Sequence, residues 1–276
     1  MIPDDVTPQD LDKGARNELK TLSKENADGV AQHLAMAARL IDSDPALAHL
    51  HAMSAARRAG RIAMVRETLA ITAYETGDYA LALRELRTYR RISGKDDQLP
   101  LMVDSERGVG RPERALELGR SVDRSTLDVP VRVALAIAMS GARLDLGQNE
   151  DALTELEIPQ LDPKRAFTWS PALFEAYAET LDILGREDEA TVWHDRATIA
   201  AEALDQSAAD DEGETMVVVE EIFEDEDDDD DTVTGDEAVQ ADAEPAEAEA
   251  PVRDEGPEAG SREDEADSEP AADEKA

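Results

Sequence analysis

The stretch LAITAYETGDYALALREL, residues 69–86, carries the pattern that decides the fold. Alanine- and leucine-rich segments lie on both sides of Gly77, and neither shows the strict alternation of a β-strand. Glycine can take the left-handed conformation that ends many helices, and Ala82 supplies a small side chain one turn into the next segment. The stretch therefore predicts two helices joined by a tight turn.

The same turn recurs along the chain. A glycine followed five residues later by an alanine occurs four times, at glycine spacings of 33, 37 and 38 residues: Gly77 with Ala82, Gly110 with Ala115, Gly147 with Ala152 and Gly185 with Ala190. Ser43-Asp44-Pro45 with Ala48, 34 residues before Gly77, is a degenerate first copy. Periods near 34 with paired helices are typical of solenoids, in which no repeat buries its apolar face alone.

Capping residues and apolar spacing divide the first 205 residues into helices, with no strand signal among them. An N-cap followed by proline begins two of the helices, at Asp44-Pro45 and at Ser170-Pro171. The predicted helices are 9–23, 26–42, 45–59, 62–76, 79–92, 97–108, 112–122, 129–146, 149–157, 171–184 and 187–204. We expect an N-terminal cap helix within residues 1–25, a helical repeat domain over 26–205 and an acidic tail over 206–276.

The repeat resembles the tetratricopeptide repeat family. The copy that matches best is Leu69-Ala70, Gly77, Tyr79, Ala82 and Leu86, and the last copy is Phe174, Tyr177-Ala178, Leu181, Gly185, Ala190 and Ala197. The middle copies depart from the family pattern, because Glu106 replaces a large apolar residue and Gly119 and Pro159 fall in second helices, which favours short helices there. The resemblance covers about residues 26–204 and implies an all-α fold, a right-handed solenoid of helix pairs.

Two phrases, RPERALEL at 111–118 and LPLM at 99–102, also resemble an uncharacterised group of actinobacterial tetratricopeptide-repeat proteins. That group implies no activity.

The acidic tail differs sharply from the helical part. Residues 206–276 hold 30 Asp and Glu against 3 Lys and Arg, which gives −27 of the total charge of −38. Self-repulsion and scarce apolar residues predict disorder. Within the tail, MVVVEEIF at 216–223 is β-prone. It is either a chance apolar patch or a short motif, with Met216, Val218, Ile222 and Phe223 as contacts, that docks on a partner or intramolecularly on the protein's own surface.

Composition excludes several classes of function. The negative charge repels nucleic acid and anionic lipid, so we expect no direct nucleic acid binding. No segment approaches the roughly 18 apolar residues of a membrane span, and the N-terminus lacks the pattern of a signal peptide. The chain has no cysteine, which is compatible with a reducing compartment. We expect a cytoplasmic protein without a membrane anchor.

Residues that could carry catalysis or bind a cofactor or metal do not form a recognisable pattern. His49 and His51 are two residues apart and lie on different sides of a helix, so they make a poor metal pair, and His33 and His194 are interpreted as surface or packing residues. Gly108-Val109-Gly110 follows no strand and is interpreted as a turn. The sequence therefore predicts a non-enzymatic protein.

The resemblance also implies a binding surface, because the first helix of each repeat lines a concave groove in that family. Carried over, the groove positions are Ile71, Tyr74, Arg107, Ile137, Leu144, Glu175, Glu179, Asp182 and Ile183. This partly apolar, partly acidic set suits an amphipathic or basic helix. The alternative is that some of these side chains pack against a neighbouring helix.

A second candidate surface is basic. Arg84, Arg87 and Arg91 share one helical face and form either an ordinary solvated surface or a docking place for an acidic ligand, such as the protein's own tail. A flexible chain of 71 residues spans roughly 50 Å, enough to reach that face.

Two functions fit these features. The first is a protein–protein interaction scaffold or adaptor that binds a peptide or helix in the groove. The alternative is an acidic-tail regulator or chaperone-like factor that shields a basic, nucleic-acid-binding partner.

Overall fold

The computed structural model describes residues 2–209 and 217–218, and the regular secondary structure within them is helical apart from one two-residue strand pair. The α-helices are α1 (Lys13–Glu18), α2 (Lys24–Leu40), α3 (Pro45–Ala59), α4 (Ala63–Glu75), α5 (Tyr79–Ser93), α6 (Leu99–Gly108), α7 (Pro112–Gly119), α8 (Val129–Asp145), α9 (Asn149–Leu156), α10 (Ser170–Ile183) and α11 (Glu187–Ala209). Short 3-10 helices lie at Pro8–Asp10, Leu19–Thr21 and Arg124–Thr126. The predicted all-helical class is thereby confirmed for this part of the chain.

Six helices, α3, α4, α5, α8, α9 and α10, begin and end within one residue of their predicted bounds. The single helix predicted over 9–23 is wrong, because the chain forms α1 between two 3-10 turns there. Gly14 and Asn17 have low helix propensity, and the Asp12 side chain caps a new helix by accepting from the Gly14 and Ala15 amides. At the other end, α11 continues to Ala209 because helix-favouring residues follow its predicted end at 204.

All four predicted turn glycines take the left-handed conformation, with φ of 77° at Gly77, 80° at Gly110, 69° at Gly147 and 75° at Gly185. The hydrogen bonds around them repeat as well. At the first turn, the Asp78 amide donates to the Ala73 carbonyl over 2.9 Å, and the Gly77 amide donates to the Tyr74 carbonyl over 2.8 Å. This pattern satisfies the last carbonyls of a helix while reversing the chain direction.

The repeated alanines lie where consecutive helices meet. Ala48, Ala82, Ala115, Ala152 and Ala190 are each 0% exposed. Every helix from α2 to α11 packs against the next one along the chain, and α6 also packs against α8. Larger side chains fill the space beside the alanines, including Leu86, Leu135, Leu156 and Phe174. The core is therefore continuous in sequence order and is built mostly from neighbouring helices.

The predicted strand-free region contains one exception. Strand β1 (Arg165–Ala166), in the connection between α9 and α10, pairs antiparallel with strand β2 (Val217–Val218) from the tail. Two residues are too few to give a period-two pattern, and the partner lies about fifty residues further along the chain, so local sequence carries no signal of the pairing. Of the tail that was predicted to be disordered, residues 206–209 belong to α11, and residues 210–216 and 219–276 lie outside the described residues.

Histidines join the first three long helices. His33 on α2 and His51 on α3 face each other with their Nδ1 atoms 3.0 Å apart, and His49 Nδ1 lies 3.0 Å from the hydroxyl of Thr72 on α4. His49 and His51 thus face different helices, as the sequence predicts. Burial lowers the pKa of all three imidazoles, and for His33 the neighbouring charge of a protonated His51 lowers the pKa further. These contacts are compatible with neutral rings.

We expect the free energy of unfolding to fall as the pH is lowered from 7.5 to 5.5. Because the folded-state pKa of His33 and His51 lies below the usual histidine pKa, the unfolded chain takes up protons first and is favoured at the lower pH. Urea unfolding at the two pH values measures the change. His33→Gln with His51→Gln should reduce the fall, and an unaltered fall in that variant would contradict the assignment.

The matched control for this prediction is His194→Gln. Its hydrogen bonds to Asp182 and Glu175 raise the pKa of His194, so that histidine stabilises the fold at the lower pH. Removing it should therefore make the fall steeper rather than shallower.

Candidate partner-binding surface

A chain of polar side chains connects α4, α6 and α8. The Tyr74 hydroxyl on α4 donates to one carboxylate oxygen of Asp104 on α6, and the other oxygen accepts from Arg107 Nη1 at 2.5 Å. Arg107 Nε reaches Asp145 on α8 at 2.8 Å. Burial and the hydrogen bond to Asp104 raise the pKa of Tyr74, so its hydroxyl keeps its proton and remains a donor. Asp104, which was not predicted as a site residue, thus holds together two predicted groove residues, Tyr74 and Arg107.

A second polar cluster lies on α10 and α11. His194 on α11 contacts the Glu175 carboxylate through Nδ1 at 3.0 Å and the Asp182 carboxylate through Nε2 at 2.9 Å. Glu179 and Ile183 lie on the same face of α10, one turn apart, and both are exposed, Ile183 by 52%. We call Glu175, Glu179, Asp182 and Ile183 the α10 stripe. It presents three carboxylates and one large apolar side chain.

The remaining groove positions are half-buried. Ile137 on α8 packs against the core cluster that contains Val133, Leu153 and Tyr177, so part of its surface serves helix packing. Ile71 on α4 and Leu144 on α8 each keep part of their side chains accessible. These three residues can therefore offer only limited apolar area to a partner.

Three residues that sequence reasoning missed or treated as inert hold these clusters together: Asp104, Asp145 and His194. A signal exists for Asp104, which lies three residues before Arg107 and so shares its helical face. Asp145 lies 38 residues after Arg107, about one repeat further on. His194 carries no such signal, because its partners come from the preceding helix.

Most of the basic face is engaged in ion pairs. Arg84 Nη2 lies 3.0 Å from a carboxylate oxygen of Glu85, and Arg87 Nη2 lies 2.7 Å from one of Glu106. Both glutamates are buried, at 3% and 2% exposure respectively. Arg91 is exposed and forms no ion pair within residues 2–209. The structure therefore leaves one of the three arginines available to an acidic ligand. Arg87, from α5, donates to Oε1 of the Glu106 carboxylate, whereas Oε2 lies 3.8 Å from Arg111 Nη1.

The predicted tail motif is described at two residues only. Val217 pairs with Ala166 and Val218 with Arg165, which places an intramolecular contact of the tail on the α9–α10 connection. Met216, Ile222 and Phe223 lie outside the described residues.

An open cavity of about 640 Å³ lies between the start of α4 and the end of α5. Charged residues of both signs line it, together with the Tyr89 ring: Glu18, Arg61, Glu67, Lys95 and Asp97. Gln98 donates to Glu67 over 2.6 Å, yet burial raises the pKa of the Glu67 carboxyl. The lining contains no histidine that could form a nucleophile–base pair with its hydroxyl groups.

Comparison with known proteins assigns no function to these surfaces, so their function is argued from their own chemistry. No protein-family model matches the chain, and no curated protein matches it significantly. Within the described residues, no group of three or more histidine and acidic side chains could hold a metal ion. None of the described helices is both long and apolar enough to cross a membrane.

Replacing Asp104 with alanine should destabilise the fold by about 1–3 kcal/mol, because Tyr74 loses its acceptor and Arg107 loses one of its two carboxylates in a partly buried site. Urea unfolding monitored by circular dichroism measures this loss. Tyr74→Phe, which removes one hydroxyl, is the control and should cost about 0.5–1.5 kcal/mol. Equal losses in the two variants would show that Asp104 does not link the helices.

Arg87→Ala should lower the free energy of unfolding by about 1–3 kcal/mol, because it removes the closest partner of the buried Glu106 carboxylate. Arg91→Ala, a neighbour on the same face, should change it by no more than about 0.5 kcal/mol. Thermal and urea unfolding of both variants would measure the difference. If the two substitutions had the same effect, the ion pair with Glu106 would not support the fold.

Proposed function

We propose that this chain is a non-enzymatic interaction protein whose helices form a right-handed solenoid of tetratricopeptide-like pairs and whose first-helix face binds an amphipathic or basic helix. The observation that carries the proposal is the α10 stripe, where Glu179 and the 52% exposed Ile183 lie one turn apart without a partner among the described residues. The recurring left-handed glycines and buried alanines support the repeat architecture.

Charge distribution along that face supports the choice of partner. Arg107, the one cation among the predicted groove residues, is neutralised by Asp104 and Asp145. The α10 stripe keeps three carboxylates, of which Glu175 and Asp182 share His194 and Glu179 has no partner within residues 2–209. A helix with lysine or arginine beside one apolar side chain complements this arrangement, since opposite charges steer association and an apolar anchor supplies affinity.

A cytoplasmic adaptor is the role that fits these features best. A protein without cysteine needs no oxidising compartment to fold. Binding is the use that the exposed α10 stripe supports.

The test uses a display library of lysine- and arginine-containing amphipathic helices, selected against the full-length protein. For a selected helix, Ile183→Asp should weaken binding at least about tenfold, which corresponds to about 1.4 kcal/mol, and Glu179→Lys should weaken it further at low salt. Titration calorimetry at two salt concentrations measures both effects.

Leu50→Asp is the matched control, because Leu50 is another exposed large apolar residue, at 55%, and lies on α3 rather than on the first-helix face of the repeats. The Leu50→Asp variant should bind the selected helix with the same affinity as the wild type. Selection of no helix, or equal losses for Ile183→Asp and Leu50→Asp, would contradict the proposed surface.

A further inference from the structure

The α9–α10 connection is the longest between consecutive α-helices of the described residues. From Glu157 to Trp169 it contains thirteen residues outside α-helix, whereas Gly77-Asp78 and Gly110-Arg111 are brief turns between helices. Connections of this length in compact repeat proteins are uncommon and often carry a function of their own. This one contains strand β1.

The backbone of β1 is held in place by the first residue of α10 and by the loop itself. The buried Ser170 hydroxyl accepts from the Phe167 amide at 3.0 Å and donates to the Arg165 carbonyl at 3.4 Å. Phe167 and Trp169 stack with their ring centroids 4.7 Å apart. These contacts fix an extended segment next to the helices, and a fixed extended segment is a template for a pairing strand.

The inner side of β1 is anchored in the core. Ala166 is 0% exposed and belongs to a cluster with Phe174 of α10 and with Ala197 and Ala200 of α11. Arg165, its neighbour, is exposed. One residue of the strand therefore fastens it to the last two helices, while its edge forms hydrogen bonds with β2.

We infer that the edge of β1 is a binding site for an extended β-branched segment, and that this chain's own Val217–Val218 is its resident occupant. The occupant has the residue type that strands prefer, in a run of three valines at 217–219. The positive charges of Lys164 and Arg165 suit a segment whose sequence continues with Glu220 and Glu221. This inference is independent of the proposed function of the α10 stripe.

Chain length favours occupancy by the same molecule. Seven residues, 210–216, lie between the end of α11 and β2, and eight extended steps span at most about 28 Å. Ala197, which packs with Ala166, lies twelve residues before the end of α11, or about 18 Å along the helix. The linker is therefore long enough to bring β2 to β1. A linker this short gives β2 an effective concentration at β1 on the order of millimolar.

Paired cysteines test the occupant in the full-length protein, which has no cysteine of its own. Arg165 and Val218 are cross-strand partners, and the Cα atoms of such partners are about 4.5–5.5 Å apart, within the range of a disulfide. Under mild oxidation, R165C with V218C should form an intramolecular disulfide at least about tenfold faster than R165C with V239C, a tail position further along. Non-reducing electrophoresis and thiol counting by mass measure the rates, and circular dichroism checks that the helices are retained.

Two results of the cysteine experiment would overturn the inference. Equal rates for the two pairs would mean that β1 does not select Val218 over another tail valine. Disulfide-linked dimers as the main product would mean that the segment from a second copy, not from the same chain, occupies the edge.

A second experiment tests β1 as a binding site. V217P with V218P, made in the full chain, removes the two amide donors of the occupant, so the edge should become available to a synthetic peptide of residues 214–223. Chemical shifts of the Arg165 and Ala166 amides should report binding at least about tenfold tighter than to the wild type. No binding to the variant, or equal binding to both proteins, would overturn the inference.

Discussion

Close contact between consecutive helices at a buried alanine is the constraint on which the rest of the structure depends. A fully buried alanine five residues after a left-handed glycine brings the second helix of a pair against the first. With a larger side chain at that place the two backbones would have to separate, because protein interiors have no spare volume. Aromatic residues make up 3% of the chain, so its cohesion comes from short distances between backbones rather than from large side chains.

Buried charges follow from that geometry. Helices that approach closely through alanine leave room at their edges for arginine to reach across, as Arg66 does to Glu85 at 2.6 Å and Arg87 does to Glu106 at 2.7 Å. Contacts through alanine are alike in every helix pair, so they do little to specify which helix packs against which. An ion pair adds a distinction, because a buried carboxylate without its arginine is costly.

Local sequence was sufficient for most of the helices and for the glycine turns, since caps, glycines and apolar spacing act within a few residues. Six helices agree within one residue, and all four turn glycines have positive φ. The prediction of a single helix over residues 9–23 was wrong because Gly14 and Asn17 lower the helix propensity of a segment whose apolar spacing is regular. The apolar pattern of that segment has the period of a helix, but it does not report the free energy of forming the helix.

The binding surface was less predictable than the fold, because its contacts join residues from different helices. Tyr74 and Arg107 were predicted separately, and only the packing of α4, α6 and α8 shows that Asp104 and Asp145 neutralise Arg107. The basic face shows the same difficulty. Spacing placed Arg84, Arg87 and Arg91 together, but it did not show that the buried carboxylates of Glu85 and Glu106 engage two of them.

The size of the strand pair determines how a site at β1 would behave. A pairing of two residues forms few backbone hydrogen bonds, each contributing about 1 kcal/mol net. Such a contact persists in the same molecule because the tether keeps the effective concentration high. A partner segment that continued the pairing along the loop beyond Arg165 and Ala166 would form more hydrogen bonds and could displace the tail. A short strand from the same chain therefore keeps the edge covered, and its small size leaves it open to exchange.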